Sequence, residues 1–198
     1  QFCSSIEYIN LDGFDTHNVT DFSFMFNGCI KLKDIDVSFL DTSSVTKINS
    51  MFSQCKSLKK IDLFNFNVSQ VTNFSYVFLN CISLKSIDLS SFDTKNADNM
   101  YAMFTNCQEL EAIYVSDKWD TSGVTSSNLM FGSDTKLKNF DSSALDKTNA
   151  HTGEGGYLTL APTVTVKSDS NLFGNIIKVT KNIFSNVKEL FSSNNDWD

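Results

Sequence analysis

The sequence has no arginine: its 16 basic residues are all lysine, against 23 acidic residues, for a net charge of −7. Proteins that bind nucleic acid usually carry a basic stripe with arginines for phosphate and base-edge contacts, so nucleic acid is not an expected partner. Histidine is scarce, with His17 and His151 only. Neither has a Cys or Ser nucleophile at a family-like spacing, and partners of such a site meet only in space, so no catalytic residue is assigned and no enzyme activity is expected. No run approaches the roughly 18 apolar residues that cross a bilayer, and no secretory leader opens the chain, so membrane insertion by this chain is not expected. Close Cys-x-x-Cys pairs of the zinc-binding kind are missing. The stretch Gly153-Glu-Gly-Gly156 lacks the Lys-Ser/Thr of a phosphate loop. No metal or other cofactor is expected.

What the sequence does have is a period. Cys3, Cys29, Cys55, Cys81 and Cys107 lie 26 residues apart, and so do Ile9, Ile35, Ile61, Ile87 and Ile113. A fixed internal period marks a repeat array, in which each rung is stable only against its neighbours. Because Cys3 falls in the middle of a rung, the chain is expected to be a fragment of a longer protein.

Within a rung, Leu32, Ile35 and Val37 are followed by an apolar anchor, Leu40, whose sisters are Phe14, Phe66, Phe92 and Trp119. The alternation at Ile35-Asp-Val37 reads as a short strand with one buried face. Asp41-Thr-Ser43 then reads as a turn. Beyond it, Val45, Ile48, Met51 or Phe52, and Cys55 recur at three and four, which predicts a short helix with Thr20, Thr46, Thr72 and Asp98 as N-caps. The register slips once, by one extra residue between Val115 and Trp119, and Asp134 then takes the cysteine slot. A polar residue at a buried slot suggests that the stack is ending there.

Equivalent cysteines on neighbouring rungs are expected about 4.8 Å apart, with side chains pointing the same way rather than at each other. The odd total leaves at least one unpaired, and a ladder of reduced, buried thiols is expected.

Two charge ladders run along the strands: Lys33, Lys59 and Lys85 in one outer slot, Asp36, Asp62 and Asp88 in another. Like charges about 4.8 Å apart repel by roughly 1 kcal/mol per pair in water, so something offsets them. Lys–Asp pairing or acceptance from adjacent turns, a ligand-binding face, and a bound divalent cation all remain open. Departures from the repeat are better guides to function than the repeat itself. Phe64 stands where other rungs have Asp12, Ser38, Ser90 and Ser116, and Tyr8 and Tyr114 are aromatic at slots otherwise polar or small. Phe24, Phe39, Tyr76 and Leu79 are apolar at turn or helix slots. Exposed aromatics are typical interface anchors. Tyr8, Phe64 and Tyr114, with the two ladders, form the candidate ligand face.

The pattern Cys-x-x-Leu-x-x-Ile-Asp-Leu-Ser-x-Phe-Asp-Thr-x-x-Val-Thr-x-Met-x-x-Met-Phe, carried by 35–55, 61–81 and 87–107, resembles the BspA-like leucine-rich repeats of bacterial surface proteins, including a repeat domain of unknown function found in mycoplasma and Firmicutes. Trp119-Asp-Thr-Ser and Met130-Phe131 resemble the last repeat, and 140–150 with Gly155-Gly-Tyr-Leu-Thr159 the terminating segment. The resemblance implies an α/β fold: a right-handed leucine-rich repeat solenoid with one short parallel strand and one short helix per 26-residue rung. It also implies a cell-surface or secreted setting and binding to a host or extracellular protein, with glycan as a further candidate. It carries no shared catalytic residues. The expected organisation is a solenoid over 1–146 and a terminating segment, C-terminal cap and tail over 147–198. One or two short strands are expected around Pro162, an amphipathic helix or degenerate rung over 172–191, and a solvated tail at 194–198. The function expected is a surface binding and adhesion module. The alternative is a structural spacer that holds another domain away from the cell wall.

Overall fold

The computed structural model describes residues 3–134 and 136–162. By contact the chain divides into Gln1–Ala161 and Pro162–Asp198. The strand expected at 163–166, the helix or rung at 172–191 and the tail at 194–198 lie outside the described residues.

Inside Gln1–Ala161 the chain meets its own neighbour once per period. Asp21 bridges to Lys47, Lys47 to Asn73, Asn73 to Asn99 and Asn99 to Ser126, all parallel. The last step is one residue longer, which absorbs the extra residue before Trp119. Three strands are regular: β1 (Ser86–Asp88), β2 (Ala112–Val115) and β3 (Thr159–Leu160), parallel and in that order. Ile87 faces Ile113 across β1 and β2, and Val115 faces Leu160 across β2 and β3. The same slots in the earlier rungs bury Ile35, Val37, Ile61 and Leu63 as the alternation requires. They are joined more sparsely, by Ser57 N–H to the Ile30 carbonyl at 3.1 Å and Lys59 N–H to the Lys33 carbonyl at 3.3 Å.

The short helix expected in each rung is not there: among the described residues the only helix is a single 3-10 turn, Lys147–Asn149. Hydrogen bonding explains the difference. The N–H groups of Ser50, Phe52 and Gln54 donate across to the carbonyls of Ser75, Val77 and Leu79 on the next rung, at 3.0, 3.0 and 2.7 Å. Those of Met51, Ser53 and Cys55 donate back three residues, to Ile48, Ser50 and Phe52, at 3.0, 3.2 and 3.2 Å. An α-helix would commit every amide to its own turns and leave this arm with no backbone bond between rungs. Alternating the two directions requires left-handed residues, and each arm has two, such as Ser50 at φ 59° and Gln54 at φ 64°. Consecutive three-residue turns bring an apolar side chain inward every three or four positions, as a helix does, so the two leave the same trace in the sequence. Thr46 does not cap; its N–H and hydroxyl both donate to the Thr20 carbonyl, at 2.9 and 3.2 Å.

Between strand and arm lies one continuous core. Its spine is a column of rings, Phe26, Phe52, Phe78, Phe104 and Phe131, with centroids 5.4, 5.7, 5.6 and 5.8 Å apart and nearly parallel planes. Beside it runs a column of thiols. Cys29, Cys55, Cys81 and Cys107 are buried and unpaired, and Cys3 is partly covered. The thiols of Cys55, Cys81 and Cys107 donate to the carbonyls of Phe26, Phe52 and Phe78, at 3.2, 3.2 and 3.1 Å.

Both columns end at the terminating segment. Tyr157, fully buried, sets its ring edge-on to Phe131 at 5.1 Å and 88°. Its hydroxyl accepts from the Asp141 N–H at 2.8 Å and donates toward the carbonyls of Asp141 and Ala144 at 2.9 and 3.0 Å. Gly156 passes so close to His151 that a Cβ there would stand 2.0 Å from the His151 carbonyl oxygen. In the thiol column, Asp134 follows Cys107 and accepts from its N–H at 2.7 Å through Oδ1, while Oδ2 is buried without a partner.

Candidate binding face

The strand side holds the charge ladders, and the structure separates their roles. Asp36 Oδ1 accepts from the Ser38 hydroxyl at 2.6 Å and the Ser38 N–H at 2.9 Å. These bonds, the hydroxyl's first, hold its carboxyl below the ordinary value. Asp62 accepts from the Phe64 N–H at 2.9 Å and Asp88 from the Ser90 N–H at 2.8 Å. All three aspartates fasten the turn that follows their strand, which answers the repulsion expected between them. Lys33 reaches Glu7 one rung back, at 3.5 Å, with both side chains largely exposed. Such a pair contributes at most about 1 kcal/mol. Lys59 and Lys85 are exposed and form no ion pair among the described residues. The lysine slot runs Glu7, Lys33, Lys59, Lys85, Glu111, so the positive ladder has acidic ends. Among the described residues, no three His, Cys, Asp or Glu side chains cluster as a metal site would need.

Of the aromatics, Tyr8 and Phe64 stand clear of the surface, 74% and 77% exposed. Tyr114 does not: it is half-buried inside β2, flanked by Asp88 of β1 and Thr159 of β3. The structure therefore does not bring Tyr8, Phe64 and Tyr114 together; they sit on the first, third and fifth rungs. Phe64 has other company. Phe14 and Phe39, 59% and 55% exposed, lie on the two preceding rungs. The three residues are 25 apart, one less than the period, so the aromatic position steps back one slot per rung along adjacent turns. Sequence reasoning counted Phe14 as a core anchor. Its sisters Leu40, Phe66 and Phe92 are buried, but Phe14 belongs to the first rung and is covered from one side only. A search at an offset of 25 rather than 26 would have found the stripe.

Nucleophilic chemistry has no support in the thiol column. Burial pushes Cys29 up to about 11 and Cys55 up to about 12, and moves Cys81 and Cys107 well above the thiol range. These thiols stay protonated near neutral pH, and a thiol acts as nucleophile or metal ligand only as thiolate. His17 is exposed and its Nδ1 lies 2.6 Å from Asp15 Oδ1, a hydrogen bond that raises its pKa.

Comparison with curated proteins and with solved structures gives no match. Comparison with protein families matches residues 1–116 and 78–157 to a family described as a Mycoplasma protein of unknown function, DUF285. Those spans cover most of the 198 residues and end where Tyr157 closes the phenylalanine column; the chain belongs to the DUF285 family.

Proposed function

We propose that this chain is a non-enzymatic binding module of a cell-surface or secreted protein of the BspA-like leucine-rich repeat type. In this reading the rungs form a right-handed solenoid and its turns contact an extracellular or host protein. The observation that carries the reading is the exposure of Phe39 and Phe64 on neighbouring turns, each on a rung that has a rung on either side. Phe39 and Phe64 contribute little to the core, and large exposed aromatics are characteristic of interface anchors. Lys33 and Lys59 precede Phe39 and Phe64 on the same rungs, and exposed charges of this kind steer encounter more than they add affinity. A spacer without a ligand has no use for such exposed aromatics.

The test is capture. The full chain and the F39S/F64S variant are immobilised side by side and exposed to a mixture of extracellular matrix and serum proteins. Exposed substitutions of this kind change stability by less than about 0.5 kcal/mol, so both chains should fold alike. A protein retained by the first and lost by the second supports the reading. Equal retention by both, or none by either, contradicts it and favours the spacer.

A further inference from the structure

A second surface is built by different slots of the rung. An open cleft of about 630 Å³ is bordered by Tyr101, Asn128, Leu129, Ser142, Asp146 and Thr148, where the last regular arm meets the terminating segment. Tyr101 is held there by Tyr76 of the preceding rung, edge-on at 5.2 Å and 72°. Leu129 and Tyr76 occupy the same left-handed slot of their arms, at φ 57° and φ 61°. Glycine, asparagine and aspartate suit that conformation, whereas a bulky side chain there costs about 1–2 kcal/mol. The other left-handed slot of the arm holds only small or polar residues, Gly28, Gln54, Asn80, Asn106 and Ser133, whereas this one also takes Phe24 beside Ser50 and Ala102. Tyr76 and Leu129 are also exposed, so neither backbone nor core accounts for them.

Several polar groups of the cleft are uncommitted, although the Ser143 hydroxyl donates to Asp141 at 2.7 Å. The Asn128 amide and the hydroxyls of Ser142 and Tyr101 hydrogen-bond no protein group among the described residues. Asp146 is the only charged side chain of the lining, and it caps the 3-10 turn: the side chain and the N–H of Thr148 both bond it and hold its carboxyl below the ordinary value. The neighbouring cation is turned away: the Lys147 ammonium donates to the carbonyls of Thr121 and Val124.

We infer that this cleft binds a neutral saccharide. An aromatic and aliphatic floor suits the C–H faces of a sugar ring, and the free Asn128 amide and the Ser142 and Tyr101 hydroxyls around it suit its hydroxyls. A phosphate, sulfate or nucleic-acid ligand requires cations, and the lining has none. Tyr101 and Leu129 line the cleft from successive rungs about 4.8 Å apart, and Tyr76 behind Tyr101 continues the apolar surface one rung further, which fits an oligosaccharide better than a single ring. The site is independent of the phenylalanine stripe.

The experiment titrates the full chain with maltohexaose, cellohexaose and chitohexaose, and with heparin hexasaccharide as the acidic control, following tyrosine NMR signals. At least one neutral hexasaccharide should shift the Tyr101 resonances in a saturable way. Y101A should weaken that binding by about tenfold or more. L129G should do the same while leaving Tm equal or higher, because glycine relieves the left-handed backbone; that variant separates lost binding from lost fold. Saturation by heparin alone, binding unchanged in both variants, or no binding of any neutral hexasaccharide overturns the proposal.

Discussion

At the scale of the residue, the informative positions break the repeat from inside the core. Asp134 takes the place of a thiol, and burial pushes its carboxyl up to about 8 from an ordinary 3.8. Between those values the folded chain keeps a proton that the unfolded chain has released. Stability therefore falls as pH rises from about 4 to about 8, by up to about 1.4 kcal/mol per pH unit, and the loss is complete above that. Asp36, Asp41 and Asp120 act in a separate window: their lowered values contribute stability that is lost only in stronger acid. D134N keeps the acceptor for Cys107 without the charge, so it should raise Tm at pH 8 and leave it nearly unchanged at pH 4; thermal melts at the two pH values compare them. A Tm gain equal at both pH values would show that the carboxylate's charge is not the cause. Trp119 makes the opposite case. Its Nε1 is buried without a partner, and Phe66 and Phe92 fill the same slot in earlier rungs. An unpaired buried donor costs about 1–3 kcal/mol, so W119F should be neutral or stabilising in denaturant titration, where a tryptophan in a filled core slot would otherwise lose stability on truncation.

At the scale of the element, stability resides in the columns. Phe78 is stacked on both faces, by Phe52 and Phe104. F78A should cost about 3–5 kcal/mol through lost transfer energy and a cavity that neighbouring rungs cannot close. Y157F keeps the edge-on contact with Phe131 but frees the Asp141 N–H and two carbonyls, and should cost about 1–3 kcal/mol; urea melts of both variants measure the difference. The columns were legible in the sequence, because a buried slot admits few residue types and Phe52, Cys55 and Leu58 repeat on schedule. The path of the backbone between them was not. Val45, Ile48, Phe52 and Cys55 constrain which side chains turn inward, and a run of three-residue turns satisfies that constraint as well as a helix. The choice between them depends on where the Ser50 and Phe52 amides donate, which no side-chain pattern records. The stripe at Phe14, Phe39 and Phe64 was hidden for a related reason: its offset differs from the period, so aligning the rungs scatters it over three columns.

At the scale of the whole described unit, Gln1–Ala161, repetition and function occupy different atoms. The repeated residues make the core, the turns and the bonds between rungs. The residues proposed to bind are those the repeat does not require: Phe39 and Phe64 on neighbouring turns, and Tyr101 and Leu129 beside the terminating segment, with Tyr76 behind them. The cleft assignment depends on the arms being laddered rather than helical, since a helix would turn Tyr76 and Leu129 in other directions. The most direct test is the measurement of couplings through hydrogen bonds by NMR on a labelled chain. The account predicts a coupling from the Phe52 amide to the Val77 carbonyl and from the Phe78 amide to the Met103 carbonyl, pairs that lie 3.0 and 2.9 Å apart. Couplings from Phe52 to Ile48 and from Phe78 to Phe74, the partners of an α-helix, would contradict it.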